Sequence, residues 1–232
     1  MLTRTIGAAV TGIDAIKVDI EVSVDWGSGF VIVGLPDTAV KESAERVRCA
    51  IQQAGYEFPR KSVVINLSPA DIKKEGSAYD LPLAIGILAA DEKLSTERLH
   101  RYMLMGELSL DGTLRAVKGA LPMAIIAREM QLDGFILPRA NAMEAAVVNN
   151  LKIYGVDHIQ KVIAFLNGDI DLEPTEVDTR AEFARAQGQF PYDSAEVRGQ
   201  ENVKRAFEVA CAGGHNILLR ERCGSGPQPV KE

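Results

Sequence analysis

The 232-residue sequence is poor in cysteine and histidine, the side chains that build disulfide frameworks and zinc sites. It contains three of each, and no two cysteines form a C-x-x-C pair. They are Cys49, Cys211 and Cys223, with His100, His158 and His215. Their number and spacing favour reduced thiols in a cytosol and predict no metal site. We therefore expect a cytoplasmic protein.

Long apolar runs are also missing. The N-terminal run MLTRTIGAAVTGIDA has neither the continuous apolar core nor the cleavage pattern of a signal peptide. The most apolar stretch, DLPLAIGILAA at residues 80–90, is shorter than the roughly 20 residues that cross a bilayer. We expect no membrane partner.

The chain lacks an excess of positive charge, since 26 Lys and Arg face 32 Asp and Glu for a net charge of −6. Such a chain is not expected to coat nucleic acid broadly, although a local basic patch is compatible with this balance. Hydrophobic residues make up 47% and charged residues 25%, as in ordinary globular proteins. The length suits one large domain, or one domain and part of another.

The strongest pattern lies between Val63 and Ala90. The β-branched run at 63–67 predicts a buried strand, which Pro69 ends because proline has no amide donor. A polar loop then leads to Asp80, which we predict to cap a helix. That helix is apolar on nearly every side, so it is predicted to be buried.

The flanking sequence predicts a meander of strands that later alternates with helices, which indicates an α+β fold with a mixed sheet. The expected strands are 3–11, 16–25, 30–33, 102–108, 113–117, 135–138 and 152–156, and the helices are about 37–55, 119–130, 141–148 and 157–166. Asp37 or Thr38, Asn141 and Asp157 stand where they would cap three of these helices.

The composition changes after residue 168. Residues 169–195 are acidic and punctuated by proline, which predicts a linker wrapping the domain surface. An amphipathic helix is then expected at 201–212, ended by Gly213 and Gly214, followed by a buried strand at 216–219. The predicted units are thus 1–168, the linker 169–195, and 196–232.

The order of a strand, PAD, KEGS and DLPLAIGIL resembles the N-terminal domain of the ComM/YifB family of magnesium-chelatase-like ATPases, over nearly the whole chain. The loop is similar, more distantly, to the active-site loop of Lon proteases, where a Lys-Asp-Gly-Pro-Ser-Ala-Gly run carries the nucleophile. The resemblance implies a two-layer α+β domain of the Lon protease and ribosomal protein (domain 2-like) fold, then the truncated start of an AAA+ module. Intact ComM members are implied to be ATP- and Mg-dependent ring-forming motors, DNA branch-migration helicases of natural transformation.

Within that resemblance, the second unit matches the run that precedes and forms a phosphate loop. The matching residues are Val197, Gly199, Gln200, Gly224, Ser225 and Gly226. A working loop has the pattern G-x-x-x-x-G-K-[ST], in which the lysine reaches the outer phosphates and the hydroxyl holds magnesium. Here Glu221 takes the first glycine position, Pro227 the lysine position and Gln228 the hydroxyl position. We expect residues 221–232 to be a disordered or out-of-frame tail, and this chain to bind no ATP tightly and to hydrolyse none.

The resemblance to Lon places Ala78 at the position of the nucleophile and Met123 at that of the lysine base. Neither side chain can attack a carbonyl or accept a proton, which implies a Lon-like fold without its chemistry. The alternative is a shifted pair of Ser77 with a neighbouring lysine. The candidate lysines are Lys73, Lys74 and Lys118.

The same loop is also a candidate site for an anion, DNA phosphate included, or for a partner surface. Its members are Lys73, Lys74, Glu75, Ser77 and Asp80. The simpler interpretation is a solvated loop in which Gly76 makes the turn and Asp80 caps the helix. The group Arg46, Arg48, Arg60 and Lys61 is likewise interpreted as a solvated face.

Three functions remain open at this level. The first is a non-catalytic N-terminal domain, for assembly or DNA guiding, of a ComM-type motor that forms a homo-oligomeric ring when its ATPase module is intact. The second is a diverged Lon-type serine peptidase. The third is a stand-alone DNA-binding module, which the negative net charge disfavours.

Overall fold

The computed structural model describes residues 1–178 and 196–219. The chain divides into two compact units, Met1–Asp178 and Thr179–Glu232. The domain boundaries expected at 168 and 195 stay a prediction.

The first unit is built on a seven-stranded mixed sheet. In chain order, the strands of the large sheet and of a separate hairpin are β1 Leu2–Thr11, β2 Asp14–Asp25, β3 Phe30–Val33, β4 Ser62–Ser68, β5 Tyr102–Leu104, β6 Glu107–Leu108, β7 Leu114–Arg115, β8 Gly134–Pro138 and β9 Lys152–Val156. The sheet order is β3-β4-β2-β1-β5-β8-β9, while β6 and β7 form a separate hairpin. The β1–β2 and β2–β4 pairs are antiparallel and the other pairs in the large sheet are parallel. The predicted mixed sheet is confirmed, and it is mostly parallel.

The helices follow the predicted order. They are α1 Thr38–Gln53, α2 Asp80–Ala90, α3 Ala120–Glu129, α4 Ala142–Ala145, α5 Ile159–Asn167 and, in the second unit, α6 Glu201–Gly213, with short 3-10 turns at Leu99–Arg101 and Arg139–Asn141. Within the described ranges, no helix has the length and apolar character needed to cross a membrane.

Helix α2 is the centre of the core, as its sequence predicts. All of its residues are buried, and they pack against β1 and β2. Gly86 permits the close approach, because a Cβ at that position would lie 2.8 Å from Cγ2 of Val22. The alternation in β2 is also confirmed, since Val18, Ile20 and Val22 are fully buried. Ile16, expected to point inward as well, is 39% exposed.

Two of the predicted caps have different outcomes. Asp37 caps α1, because its Oδ1 accepts a hydrogen bond from the Val40 N–H at 2.8 Å. Asn141 holds the predicted N-cap position of α4, but its side chain makes no capping hydrogen bond. Its side chain accepts from the Val117 N–H at 2.9 Å and donates to the Val117 carbonyl at 2.8 Å. The Asn141 amide therefore makes with Val117 the pair of hydrogen bonds that a neighbouring strand would otherwise make.

The prediction that Asp157 caps the next helix is wrong. His158 is the cap of α5, because its Nδ1 accepts from the Gln160 N–H at 3.2 Å. Asp157 instead accepts from the Lys161 ammonium at 2.8 Å. The other ring nitrogen of His158, Nε2, lies 3.0 Å from the Asp111 carbonyl oxygen, so the imidazole is held on both sides.

Residues 169–178 contain no regular element and belong to the first unit. The Thr175 N–H donates to the Ile153 carbonyl of β9 at 2.7 Å, so this part lies on the surface of the first unit. Residues 179–195 lie outside the described ranges. In the second unit α6 is confirmed, and its C-cap residue Gly214 adopts the left-handed conformation.

The buried strand expected at 216–219 is not formed. These residues adopt no regular structure and Leu218 is 93% exposed. An apolar run becomes a strand only when a neighbouring strand pairs with it, and no strand of the described residues does so.

Candidate functional site

A cavity of about 1060 Å³ opens in the first unit beside the loop before α2. Its walls come from the end of β1 with the following turn, the loop 71–79, the segment after β5, and the segment before α3. The lining residues are Ala8, Ala9, Val10, Thr11, Gly12, Ile16, Asp37, Asp71, Ile72, Lys73, Glu75, Gly76, Ser77, Ala78, Tyr79, Met105, Glu107, Ala116, Val117, Lys118 and Met123. The exposed Ile16 is thus part of this cavity.

The loop is fixed to the start of α1 through Lys74. The Lys74 N–H donates to the Leu35 carbonyl at 3.1 Å, and the Asp37 N–H donates to the Lys74 carbonyl at 3.0 Å. The other carboxylate oxygen of Asp37 accepts from the Gly76 N–H at 3.0 Å. The same aspartate therefore caps α1 and positions the loop.

The Lys74 side chain is fully buried, and its ammonium donates to the Pro69 carbonyl. Burial lowers the pKa of Lys74 because the charged form loses its hydration. It does not line the cavity, so it is not available to an anion there. Lys73 remains exposed but pairs with Glu75 at 2.7 Å, and this pair raises the pKa of Lys73. Both lysines of the predicted anion-binding loop are therefore engaged, Lys74 by burial and Lys73 by its ion pair with Glu75.

A buried ion pair holds the start of α2. Asp80 accepts from Nε of Arg46 at 2.7 Å and from Nη2 at 3.0 Å, in a bidentate arrangement. The Leu108 N–H donates to the same carboxylate at 3.2 Å. The hydrogen bond to Asp80 raises the pKa of Arg46. Burial raises the pKa of Asp80, which the pairing with Arg46 opposes.

This pair corrects two predictions. Asp80 does not cap α2, because Tyr79 holds the cap position and no side-chain cap bond is made. Asp80 is the first helical residue, and its carboxylate turns toward α1 and β6. Arg46 is not part of a solvated face, since its guanidinium also donates to the Ala39 carbonyl at 3.0 Å. Arg48 and Lys61 are separate from it. The Arg48 guanidinium lies 5.0 Å from the Phe58 ring centroid, and Lys61 pairs with Asp91.

The two positions implied for a Lon-type dyad, Ala78 and Met123, both line the cavity. Ser77 lines it too, and its hydroxyl donates to the Glu107 carboxylate. The serine is therefore hydrogen-bonded to an acid, and none of the three candidate lysines is its partner among the described residues. Sequence reasoning missed Glu107 as a site residue, although it lies in the segment predicted as a strand at 102–108.

The nucleotide-related residues belong to the second unit. Val197, Gly199 and Gln200 precede α6 in the second unit, where the Gln200 carbonyl accepts from the Val203 and Lys204 N–H groups at 2.9 and 3.1 Å. Gly224, Ser225 and Gly226 lie outside the described ranges. Residues 1–178 and 196–219 contain no group of three or more His, Cys, Asp or Glu placed to hold a metal ion. Cys49 and Cys211 are free thiols.

Comparison with known proteins identifies the family. A family model described as subunit ChlI of Mg-chelatase matches residues 18–141, more than half of the chain, and one described as magnesium chelatase, subunit ChlI, matches residues 193–230. Uncharacterized protein YifB of Escherichia coli K12 is 43% identical over 222 residues, which are 94% of this chain and 42% of that protein. Competence protein ComM of Haemophilus influenzae is 38% identical over 219 residues, 94% of this chain and 43% of that protein.

The chain thus spans less than half the length of these two relatives. The resemblance found in the sequence is confirmed: the chain belongs to the magnesium-chelatase ChlI family, among proteins named YifB and ComM.

Proposed function

We propose that this chain is the non-catalytic N-terminal domain of a ComM-type, ATP-dependent motor of the branch-migration helicase class, with a short part of its ATPase module. Its role is to arrange subunits in a homo-oligomeric ring or to guide DNA. The family membership supports the motor class, and the name of the Haemophilus influenzae relative supports a link to competence.

The observation that carries the non-catalytic role is the pair Ala78 and Met123 in the cavity. The proposed fold is that of the Lon protease and ribosomal protein family, in which these positions would hold a nucleophile and a base. A methyl group and a thioether supply neither a nucleophile nor a proton acceptor for peptide hydrolysis. The nearby Ser77 hydroxyl is bonded to Glu107 rather than to a desolvated lysine.

The residues of this chain do not fit a nucleoside triphosphate. Pro227 has neither an ammonium group nor an amide donor, and Glu221 brings a negative charge to the first glycine position of the pattern, which disfavours phosphate. We propose that intact family members bind ATP and Mg²⁺ through a complete phosphate loop, and that this chain does not.

A chimaera tests the proposal. Residues 1–219 are joined to the part of Escherichia coli YifB that begins at the position corresponding to residue 220, so that the phosphate-loop region comes from YifB, and the matched control lacks residues 1–178. The chain alone should show no ATPase activity, the full chimaera should hydrolyse ATP, and only the full chimaera should form a ring by light scattering or respond to DNA. ATP hydrolysis by the chain alone, or equal ring assembly and DNA response in both chimaeras, would contradict the proposal.

A diverged Lon-type serine peptidase is the second candidate, because the Ser77 hydroxyl lines the cavity beside a carboxylate. The test is incubation of the full chain with a fluorophosphonate, followed by peptide mass spectrometry. Stoichiometric labelling of Ser77 that disappears in Ser77→Ala would support this candidate. Absence of labelling, with the denatured chain as control, supports the non-catalytic role.

A further inference from the structure

The strand β1 has an open edge inside the cavity. Strand β5 pairs with β1 only at Ile6 and Met103 and ends at Leu104. The chain then turns toward the start of α2, where the Gly106 N–H donates to the Ala78 carbonyl of the preceding loop at 2.8 Å and the Gly106 carbonyl accepts from the Leu81 N–H at 3.0 Å. Strand β1 continues to Thr11. Its last residues therefore have β2 on one side and, among the described residues, no strand on the other.

The hydrogen-bonding groups of this edge can be assigned from Ala8. The Ala8 carbonyl accepts from the Tyr79 hydroxyl at 3.1 Å, and its N–H points to the Met105 sulfur at 3.4 Å, so both groups point away from β2. The β1–β2 register is continuous from Ala8 to Thr11. Because direction alternates along a strand, the Val10 N–H and carbonyl point to the same open side. Val10 lines the cavity and is 39% exposed.

The charge of the cavity is mixed but more negative than positive. The charged lining residues are Asp37, Asp71, Glu75, Glu107, Lys73 and Lys118, four carboxylates against two ammonium groups. One of the ammonium groups, on Lys73, is paired with Glu75. A cationic side chain is the complementary ligand group for such a lining.

We propose that this cavity binds an extended peptide that adds a strand to the open edge of β1 and carries a lysine or arginine side chain toward Glu107 and Asp71. The groups that this edge offers are the Val10 N–H and carbonyl, because those of Ala8 are already engaged. The stretch from Ala9 to Thr11 spans about 10 Å at ~3.3 Å per residue, which accommodates about three peptide residues. In strand addition, backbone hydrogen bonds supply affinity and the surrounding pockets supply sequence preference. The inference is independent of the motor role, because it rests on the first unit alone.

The test uses the full chain and a fluorescein-labelled heptapeptide of alternating valine and lysine, followed by fluorescence anisotropy. Two control peptides are used: one carries N-methyl groups on alternate backbone amides, and one has glutamate in place of lysine. The matched protein variants are Val10→Pro, which removes the edge N–H, and Val10→Ala, which retains it. Proline is tolerated here because this N–H does not bond to β2.

We expect saturable binding that is about tenfold weaker for Val10→Pro and for the N-methylated peptide, because a backbone hydrogen bond is lost in each. Val10→Ala should stay within about threefold of the wild type, and the glutamate peptide should not bind. No binding of the valine–lysine peptide, or equal binding of its N-methylated form, overturns the proposal. If circular dichroism shows that Val10→Pro is unfolded, the peptide pair on the wild-type chain decides the question.

Discussion

The ion pair between Arg46 and Asp80 predicts an asymmetric response to removal of its partners. The Asp80 side chain is 1% exposed and that of Arg46 is 23% exposed. Arg46→Met would leave a buried carboxylate with the Leu108 N–H as its remaining donor, which should cost about 3–5 kcal/mol of unfolding free energy. Asp80→Asn should cost less, about 1–3 kcal/mol, because the guanidinium can reach water and keeps its bond to Ala39.

The assay is urea unfolding followed by far-ultraviolet circular dichroism, because Trp26 is 97% exposed and its fluorescence is a poor probe of folding. Arg101→Met is the matched control, since its pair with Asp133 is 55% and 40% exposed, and its loss should cost less than about 1 kcal/mol. The double variant Arg46→Met/Asp80→Asn should be more stable than Arg46→Met alone, because no uncompensated buried charge remains.

The pH dependence adds a second check on the same variant. Burial already raises the pKa of Asp80 above its ordinary 3.8, and loss of Arg46 should raise it further. A carboxyl group whose pKa is raised in the native state contributes its full stability below the pKa of the unfolded chain. That contribution is lost as the pH rises through the native-state pKa. The deficit of Arg46→Met should therefore shrink as pH falls toward about 4. A deficit equal to that of Arg101→Met, or one that does not change with pH, would refute the reasoning.

Three further outcomes follow from the structure. Burial lowers the pKa of Lys74 in the native state. The unfolding free energy of the wild type relative to Lys74→Met should therefore rise with pH between the lowered pKa and the ordinary 10.5, by up to about 1.4 kcal/mol per pH unit. If urea unfolding gave the same pH dependence for both proteins, the expectation would be contradicted. Gly34→Ala should lower the urea midpoint more than Gly55→Ala, because both have positive φ but only a Cβ at Gly34 would collide with the Leu67 backbone; equal midpoints would argue against it. His158→Ala should lower the unfolding free energy by about 1 kcal/mol, and His158→Asn by less, because asparagine can also cap the helix. Thermal midpoints measure both changes, and equal midpoints for His158→Ala and the wild type would show that the ring does not act as a cap.

Elements with a strong local pattern could be predicted from the sequence. The alternation in β2 and the apolar run of α2 identify their type and burial, because each depends on residues a few positions apart. The strand expected at 216–219 shows the limit of that reasoning. Its apolar residues satisfy the local pattern, but a strand also needs a partner for its backbone groups.

The contacts of the candidate site could not be predicted in the same way. Arg46 and Asp80 are 34 positions apart, and Ser77 and Glu107 are 30 positions apart. The order of the elements must be known before such partners can be assigned. The failure at Asp157 has a related cause, since that residue was equally suited to a cap and to an ion pair with the following helix.

Several contacts that hold the walls of the cavity do not involve the side chains at the positions of the implied dyad. Backbone hydrogen bonds through Lys74 hold the loop 71–79 to Leu35 and Asp37, and the buried pair of Arg46 and Asp80 joins α2 to α1. These supports do not depend on the side chains of Ala78 and Met123. The shape of the cavity and the open edge of β1 therefore do not require a reactive group at either position, and the proposed role in binding is compatible with the same supports.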